Sequence, residues 1–130
     1  MNFPDELLYT KSHEWLRKLG DNTAHIGITD YAQDALGDIV FVDFKITEGE
    51  VLKGDSFCEL ESVKAVESSY MPVSGRILEI NSKLENDYGL INTSPYEKGW
   101  LIKIQILDPS QLTEMIRSKQ YTEFVTELDE

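Results

Sequence analysis

Short alternating runs separated by turn residues restrict the folds open to this chain more than any other feature. In Thr23 to Ile28, the residues Ala24, Ile26 and Ile28 fall on one face, the period-2 pattern of a half-buried strand. Ile39-Val40-Phe41-Val42-Asp43-Phe44 is β-branched and aromatic, which predicts a strand with most of both faces covered. Phe57 to Val63, Ala65 to Met71, Arg76 to Ile80 and Trp100 to Ile106 continue the series. In the last run Trp100, Ile102, Ile104 and Ile106 share one face, with Leu101, Lys103 and Gln105 on the other. Turns are marked by Gly20-Asp21-Asn22, Glu48-Gly49-Glu50, Lys53-Gly54-Asp55, Pro72-Val73-Ser74-Gly75 and Pro95 to Gly99. Asn81 to Asn92 is a longer, turn-rich connection. The chain is mainly β.

Helix enters in two places. Thr29 or Asp30 can N-cap a short helix that runs to Leu36 and stops at Gly37, with Gln33 in capping-box spacing from Asp30. Asp108-Pro109 is an N-cap followed by proline at the first helical position. It predicts a helix with Leu112, Met115 and Ile116 on one side, and Tyr121 to Leu128 adds a second helical piece. At 130 residues one domain, 1–130, is expected, with its core over about 9–107 and a C-terminal helical segment over 108–130. Gly49 to Gly54 and a strand before Lys64 resemble Gly75, a strand and a loop after it. Two such halves meeting at a hairpin put Lys64 at the end of a two-sheet sandwich.

Charge and composition remove several function classes. Twelve basic residues against 24 acidic ones give a net charge of -12, which argues against nucleic acid, since phosphate binding needs a basic surface. The same charge suits partners with basic patches, or plain solubility. One cysteine, Cys58, excludes an internal disulfide framework and a cysteine-based zinc cluster. No apolar run is long enough for a transmembrane helix. Met1 to Glu6 is acidic, unlike a secretion signal or transit peptide, so the expected location is the cytoplasm, or the mitochondrial matrix for a processed chain.

Catalytic patterns are missing as well. The two histidines are His13 and His25, and His13-Glu14-Trp15-Leu16-Arg17 fails the H-E-x-x-H zinc pattern at Arg17. There is no G-x-S-x-G elbow, and Cys58 lies on an alternating strand with Leu60, as a packed core thiol would. Eight scattered glycines do not form a phosphate loop. Glu14 stands out among the carboxylates, between His13 and Trp15, though its plain reading is an exposed solubilising charge. No constellation of a catalyst emerges, and the chain is expected not to be an enzyme.

Lys64 lies midway through a hairpin, between Val63 and Ala65. A lysine that attacks a substrate unaided needs burial or a neighbouring cation. Here the surroundings are Glu59, Glu61, Glu67 and a solvated turn. Such an amine is badly placed to do chemistry itself and well placed for an enzyme that brings an activated acyl group.

Glu61-Ser62-Val63-Lys64-Ala65 resembles the lipoylation motif of the glycine cleavage system H proteins. Ser12-His13-Glu14-Trp15, Gly27-Ile28-Thr29-Asp30-Tyr31-Ala32-Gln33, and Leu36-Gly37-Asp38-Ile39-Val40-Phe41-Val42 resemble further segments of that family. So do Pro72-Val73-Ser74-Gly75, Leu90-Ile91-Asn92, Pro95-Tyr96 and Gly99-Trp100, in the family's order from about Tyr9 to Tyr121. Biotin carriers typically flank their lysine with methionines, and lipoyl domains of 2-oxo-acid dehydrogenases usually carry D-K-A. The sequence departs from the family at Cys58, where glycine is common, at Glu59, and at Ser68-Ser69, which replaces an acidic–apolar pair.

The resemblance implies a barrel-sandwich hybrid, lipoyl-domain-like, with a short helix before the lipoyl hairpin and helix at the C-terminus. It implies lipoate in amide linkage to Lys64, within the motif Glu61, Ser62, Val63 and Ala65, added by a lipoate ligase or octanoyltransferase. Family analogy then makes the chain a monomeric carrier. Glycine decarboxylase (P protein) loads an aminomethyl group, aminomethyltransferase (T protein) unloads it, and dihydrolipoamide dehydrogenase (L protein) reoxidises the dithiol. A loaded aminomethyl group is labile in water, so the arm should retreat into a cleft, where a carboxylate could hold its cationic amine. Glu14 is the candidate. Two alternatives stand beside this reading: a lipoyl-relay carrier passing octanoyl or lipoyl groups to 2-oxo-acid dehydrogenases, and an unmodified acidic binding domain.

Overall fold

The computed structural model describes residues 1–129. The first hairpins are β1 (Leu8–Tyr9), β2 (Glu14–Gly20) and β3 (Thr23–Ile28). Asp21 and Asn22 both adopt positive φ, 49° and 58°, as the two central positions of a type I′ hairpin turn require. Helix α1 (Asp30–Leu36) begins where Thr29 Oγ1 accepts from the Ala32 amide at 3.2 Å. It ends at Gly37, whose φ of 82° few side chains tolerate.

Then come β4 (Ile39–Phe44), β5 (Gly49–Val51), β6 (Ser56–Ser62), β7 (Val66–Tyr70) and β8 (Gly75–Ile80). The turn-rich connection holds a 3-10 turn over Ser82–Asn86 and a single helical turn, α2 (Leu90–Thr93). Strand β9 (Ile102–Ile106) completes the sheets. All strand pairs are antiparallel, in two open sheets ordered β1-β2-β3-β9-β8-β5 and β4-β6-β7. Neither closes into a barrel.

Alternation decides what lies between the sheets. Leu16, Ala24, Ile26, Ile77, Ile102 and Ile104 come from the larger sheet, and Val42, Cys58 and Leu60 from the smaller one. A second apolar cluster of Leu7, Tyr9, Trp15, Tyr96, Tyr121 and Val125 seats the C-terminal helix α3 (Ser118–Leu128) against the start of the chain. There Tyr9 and Tyr121 stack with ring centroids 4.8 Å apart. Buried aromatic pairs of this kind contribute about 0.5–1.5 kcal/mol beyond their area.

Three expectations change. Val40 is 52% exposed and Phe41 is 43% exposed, because the β4–β6 register shifts between Ile39 and Phe41, so that two successive residues of this edge strand meet solvent. The last strand begins only at Ile102; before it Leu101 is fully buried, and half-buried Trp100 stacks on His25 at 4.1 Å. The expected helix after Asp108 is a 3-10 segment over Pro109–Glu114. It gives way to extended chain at Met115 and Ile116, where Ile116 and Tyr9 exchange backbone hydrogen bonds of 2.8 and 2.9 Å. Only from Ser118 does regular helix resume.

Gly27 faces Trp15 across the β2–β3 pair, and a Cβ on Gly27 would lie 2.7 Å from two atoms of the indole. The indole cannot retreat freely, since its Nε1 donates to the Pro95 carbonyl at 3.1 Å. Gly27→Ala is expected to destabilise the fold by about 1–3 kcal/mol, seen as a lower urea midpoint with an unchanged denaturant slope.

Candidate functional site

The β6–β7 hairpin is closed by Val63-Lys64-Ala65, and the turn is ordered from within by Ser62. Its amide donates to the Ala65 carbonyl at 2.8 Å. Its Oγ accepts from the Lys64 and Ala65 amides at 3.2 and 3.0 Å. A short hydroxyl side chain that bonds the next turn's amides holds a tight turn without needing a buried apolar residue. Lys64 is left exposed, flanked by exposed Glu61, Val63, Val66 and Glu67. Outside the hairpin, the Val63 amide donates to the Asp38 carbonyl at 3.1 Å.

Glu14 is the second component, and it is not the surface charge its plain reading suggests: only 1% of it is exposed. It is the first residue of β2, just after the loop that joins β1 to β2. That loop's own hydroxyls reach its Oε1, from Thr10 Oγ1 at 2.8 Å and Ser12 Oγ at 2.5 Å. Its Oε2 accepts from Ser69 Oγ and the Tyr70 amide, both at 3.3 Å, and both from β7. The carboxylate therefore bridges the large sheet to the small one. Among the described residues no lysine, arginine or histidine forms an ion pair with it.

A cleft of about 280 Å³ runs along Glu14 to the hairpin. Ile28, Ala32, Leu36 and Leu60 form apolar walls, Ala65 and Glu67 lie at the hairpin end, and Ser12, Glu14 and His13 supply polar lining. The cleft could hold an alkyl chain that ends in a cation. His13 is held at φ 74° by two backbone hydrogen bonds: its amide donates to the Thr10 carbonyl, and its carbonyl accepts from the Thr29 amide. Its Nδ1 meets the Tyr121 hydroxyl at 2.7 Å, which in turn meets Thr29 Oγ1 at 2.8 Å. Burial lowers the His13 pKa below its ordinary value, so the ring is neutral at pH 7.

Cys58 is fully buried beneath this region, paired across the hairpin with Ser69. Burial, with the negative charge of Glu14 nearby, pushes its thiol pKa up, and the thiol is inert. The structure thus brings Glu14 and the Lys64 hairpin to one cleft, while His25 lies apart on the Trp100 ring. Thr10 and Ser69 were missed as Glu14's partners. Thr10-Lys11-Ser12 before an acidic residue is a local sign of a hydroxyl-lined turn, but Ser69 stands out in the sequence only as a departure from the family pattern, and no local rule pairs it with a residue 55 positions away.

Burial raises the Glu14 pKa above the ordinary 4.5, against the opposing pull of bonds from Ser12, Thr10, Tyr70 and Ser69. Between the unfolded and folded values the native state binds more protons than the unfolded chain. Stability tied to Glu14 is therefore full below about pH 4.5 and declines as the pH rises through the range above it. Glu14→Gln can keep its carbonyl on the Tyr70 amide and turn its amide toward the hydroxyls. The variant is expected to resist urea at least as well as the wild type at pH 7, and their difference to vanish near pH 4.

The Glycine cleavage H-protein family model matches residues 7–128. A Glycine cleavage system H protein of Staphylococcus epidermidis is 50% identical over 127 residues, covering 98% of this chain and all of the relative. One of Staphylococcus saprophyticus is 49% identical over the same length, with the same coverage. Among solved structures, the crystal structure of a glycine cleavage system H protein from Mycobacterium marinum superposes with a TM-score of 0.85 at 34% identity. It covers 93% of this chain and 97% of its own. A match of this extent in sequence and in fold leaves one conclusion: the chain belongs to the glycine cleavage H-protein family.

Proposed function

We propose that this chain is a lipoyl carrier of the glycine cleavage system, with lipoate in amide linkage to Lys64. The observation that carries the reading is an exposed lysine at a preformed turn, beside a cleft whose wall holds a buried carboxylate that pairs with no cation among the described residues. Attachment forms one bond. The uncharged Lys64 Nζ attacks the carbonyl carbon of an activated lipoyl or octanoyl group brought by a lipoate ligase or octanoyltransferase. The activating group leaves, and the nitrogen gives up one proton.

Once attached, the group supplies a disulfide–dithiol pair able to take up and give up a one-carbon amine unit. This chain's residues do the rest of a carrier's work. The hairpin presents the attachment point to the P, T and L proteins in turn. The apolar walls at Ile28, Leu36 and Leu60 exclude water from a retracted arm. Glu14 receives the cationic amine of the cargo, a charge-assisted contact strengthened by burial. In a relay that only passes acyl groups on, this carboxylate would keep its bonds between the sheets but have no cationic cargo to receive, which favours glycine cleavage over the relay. A monomer suits a carrier that must visit several enzymes, and the bacterial relatives suit a cytoplasmic location.

Intact mass tests the attachment: native wild-type protein is expected to carry a lipoyl mass shift that Lys64→Arg lacks. An unshifted wild type would leave only an acidic binding domain. The role of Glu14 is tested separately, by loading the arm and timing its hydrolysis. Glu14→Gln should shorten the lifetime roughly tenfold, the loss of about one charge-assisted bond, and an unchanged lifetime would remove Glu14 from the cleft's function.

A further inference from the structure

We infer that Asn92 is a positioning residue for the acylation of Lys64: from α2 it clamps the loop on which the hairpin tip rests. The inference rests on the lipoyl-carrier reading and adds a residue that touches neither the lysine nor the incoming acyl group. Asn92 uses both amide hydrogens and its carbonyl. Its Oδ1 accepts from the Ile39 amide at 2.9 Å, and its Nδ2 donates to the Gly37 carbonyl and to Gln33 Oε1, each at 2.9 Å. The bonds to Gly37 and Ile39 grip the chain on either side of Asp38.

Asp38 is the residue that matters to the tip. Its carbonyl accepts from the Val63 amide at 3.1 Å. The other backbone bonds of the turn stay inside the hairpin. The Lys64 stem also lies across the same loop. A Cβ on Gly37 would stand 3.5 Å from Lys64 Cε and 4.0 Å from Cδ, at a backbone φ of 82° that disfavours any side chain. The two references from outside the hairpin, one polar and one steric, belong to the short loop 37–39, which Asn92 grips on both sides of Asp38, beside the Gly37 amide on the Gln33 carbonyl and the pairing of Ile39 with Ser62. An exposed tip cannot be fixed by burial, so it has to be fixed from behind.

An acylating enzyme that must meet one placement of the amine loses apparent affinity when that placement is only fractionally populated. The chemistry, once the complex forms, is unaffected. Asn92→Ala is therefore expected to raise the KM of a lipoate ligase for the unmodified protein about five- to tenfold, with kcat within about twofold. Amide hydrogen exchange at Val63 should accelerate at least tenfold, while Leu60 and Ile104 keep wild-type protection. A merely structural role would lower the melting temperature and leave the KM of the folded protein unchanged. Gly37→Ala strains the same loop at its positive φ while keeping the Asn92 side chain, and it should raise KM in the same way; it decides the question if Asn92→Ala does not fold. Gln33→Ala keeps both loop bonds and should behave as wild type. Wild-type KM in the Asn92 and Gly37 variants, or unchanged Val63 exchange, overturns the inference alone. Failure of the ligase to acylate Lys64 in the wild type overturns the carrier reading and this inference with it.

Discussion

A buried carboxylate joins the two sheets of this protein, and the site depends on it. Glu14 starts a strand of the large sheet and accepts from Ser69 and Tyr70 on the small one. Moving a carboxylate out of water is costly unless its lone pairs are satisfied, and hydroxyls from Thr10 and Ser12 complete that satisfaction. No cation of this chain among the described residues completes the neutralisation. The bridge therefore ties the two sheets together at the cleft wall and places a carboxylate there.

Around that bridge the molecule divides its labour between two cores. The aliphatic core between the sheets holds β6 and β7 in register, with Leu60 and Cys58 pointing inward and Glu59 and Glu61 outward. The aromatic core of Tyr9, Trp15, Tyr96 and Tyr121 anchors the start of β2 and the C-terminal helix. The His13–Tyr121–Thr29 bonds connect that core to the cleft's rim. The departures from the family pattern at Cys58 and Ser69 fall where the cores and the bridge meet. Cys58 fills space that a glycine would leave open, and the Ser69 hydroxyl supplies a donor to Glu14.

The hairpin follows the opposite logic. Nothing packs over Lys64, and order comes from short polar bonds: Ser62 within the turn, and Asp38 behind it. Polar bonds suit the purpose because they fix a direction without covering the amine. An apolar cap would stabilise the tip but cover the amine.

Sequence by itself determined the β-rich class, the strand cores, α1 with its Thr29 cap and Gly37 stop, and Lys64 at a turn. Each of these rests on local rules, either period-2 alternation or the chemistry of caps and turns. It also set the expectation of a lysine that does no chemistry unaided, from the acidic residues around it in the chain. Tertiary structure alone decided what depends on distant partners. Ile39 to Phe44 has the same composition whether it is central or at an edge, and only its edge position and the register shift in its pairing with β6 expose Val40 and Phe41. The run after Asp108 is helical by its cap, but pairing between Ile116 and Tyr9 draws Met115 and Ile116 into extended chain. Glu14 reads as a surface charge until a serine 55 residues away turns its hydroxyl toward it. Asn92 is an ordinary loop residue until Gly37 and Ile39 arrive on either side of its amide. Local patterns set the elements because backbone geometry is local, whereas burial and hydrogen-bond partnership belong to whichever segments the fold brings together.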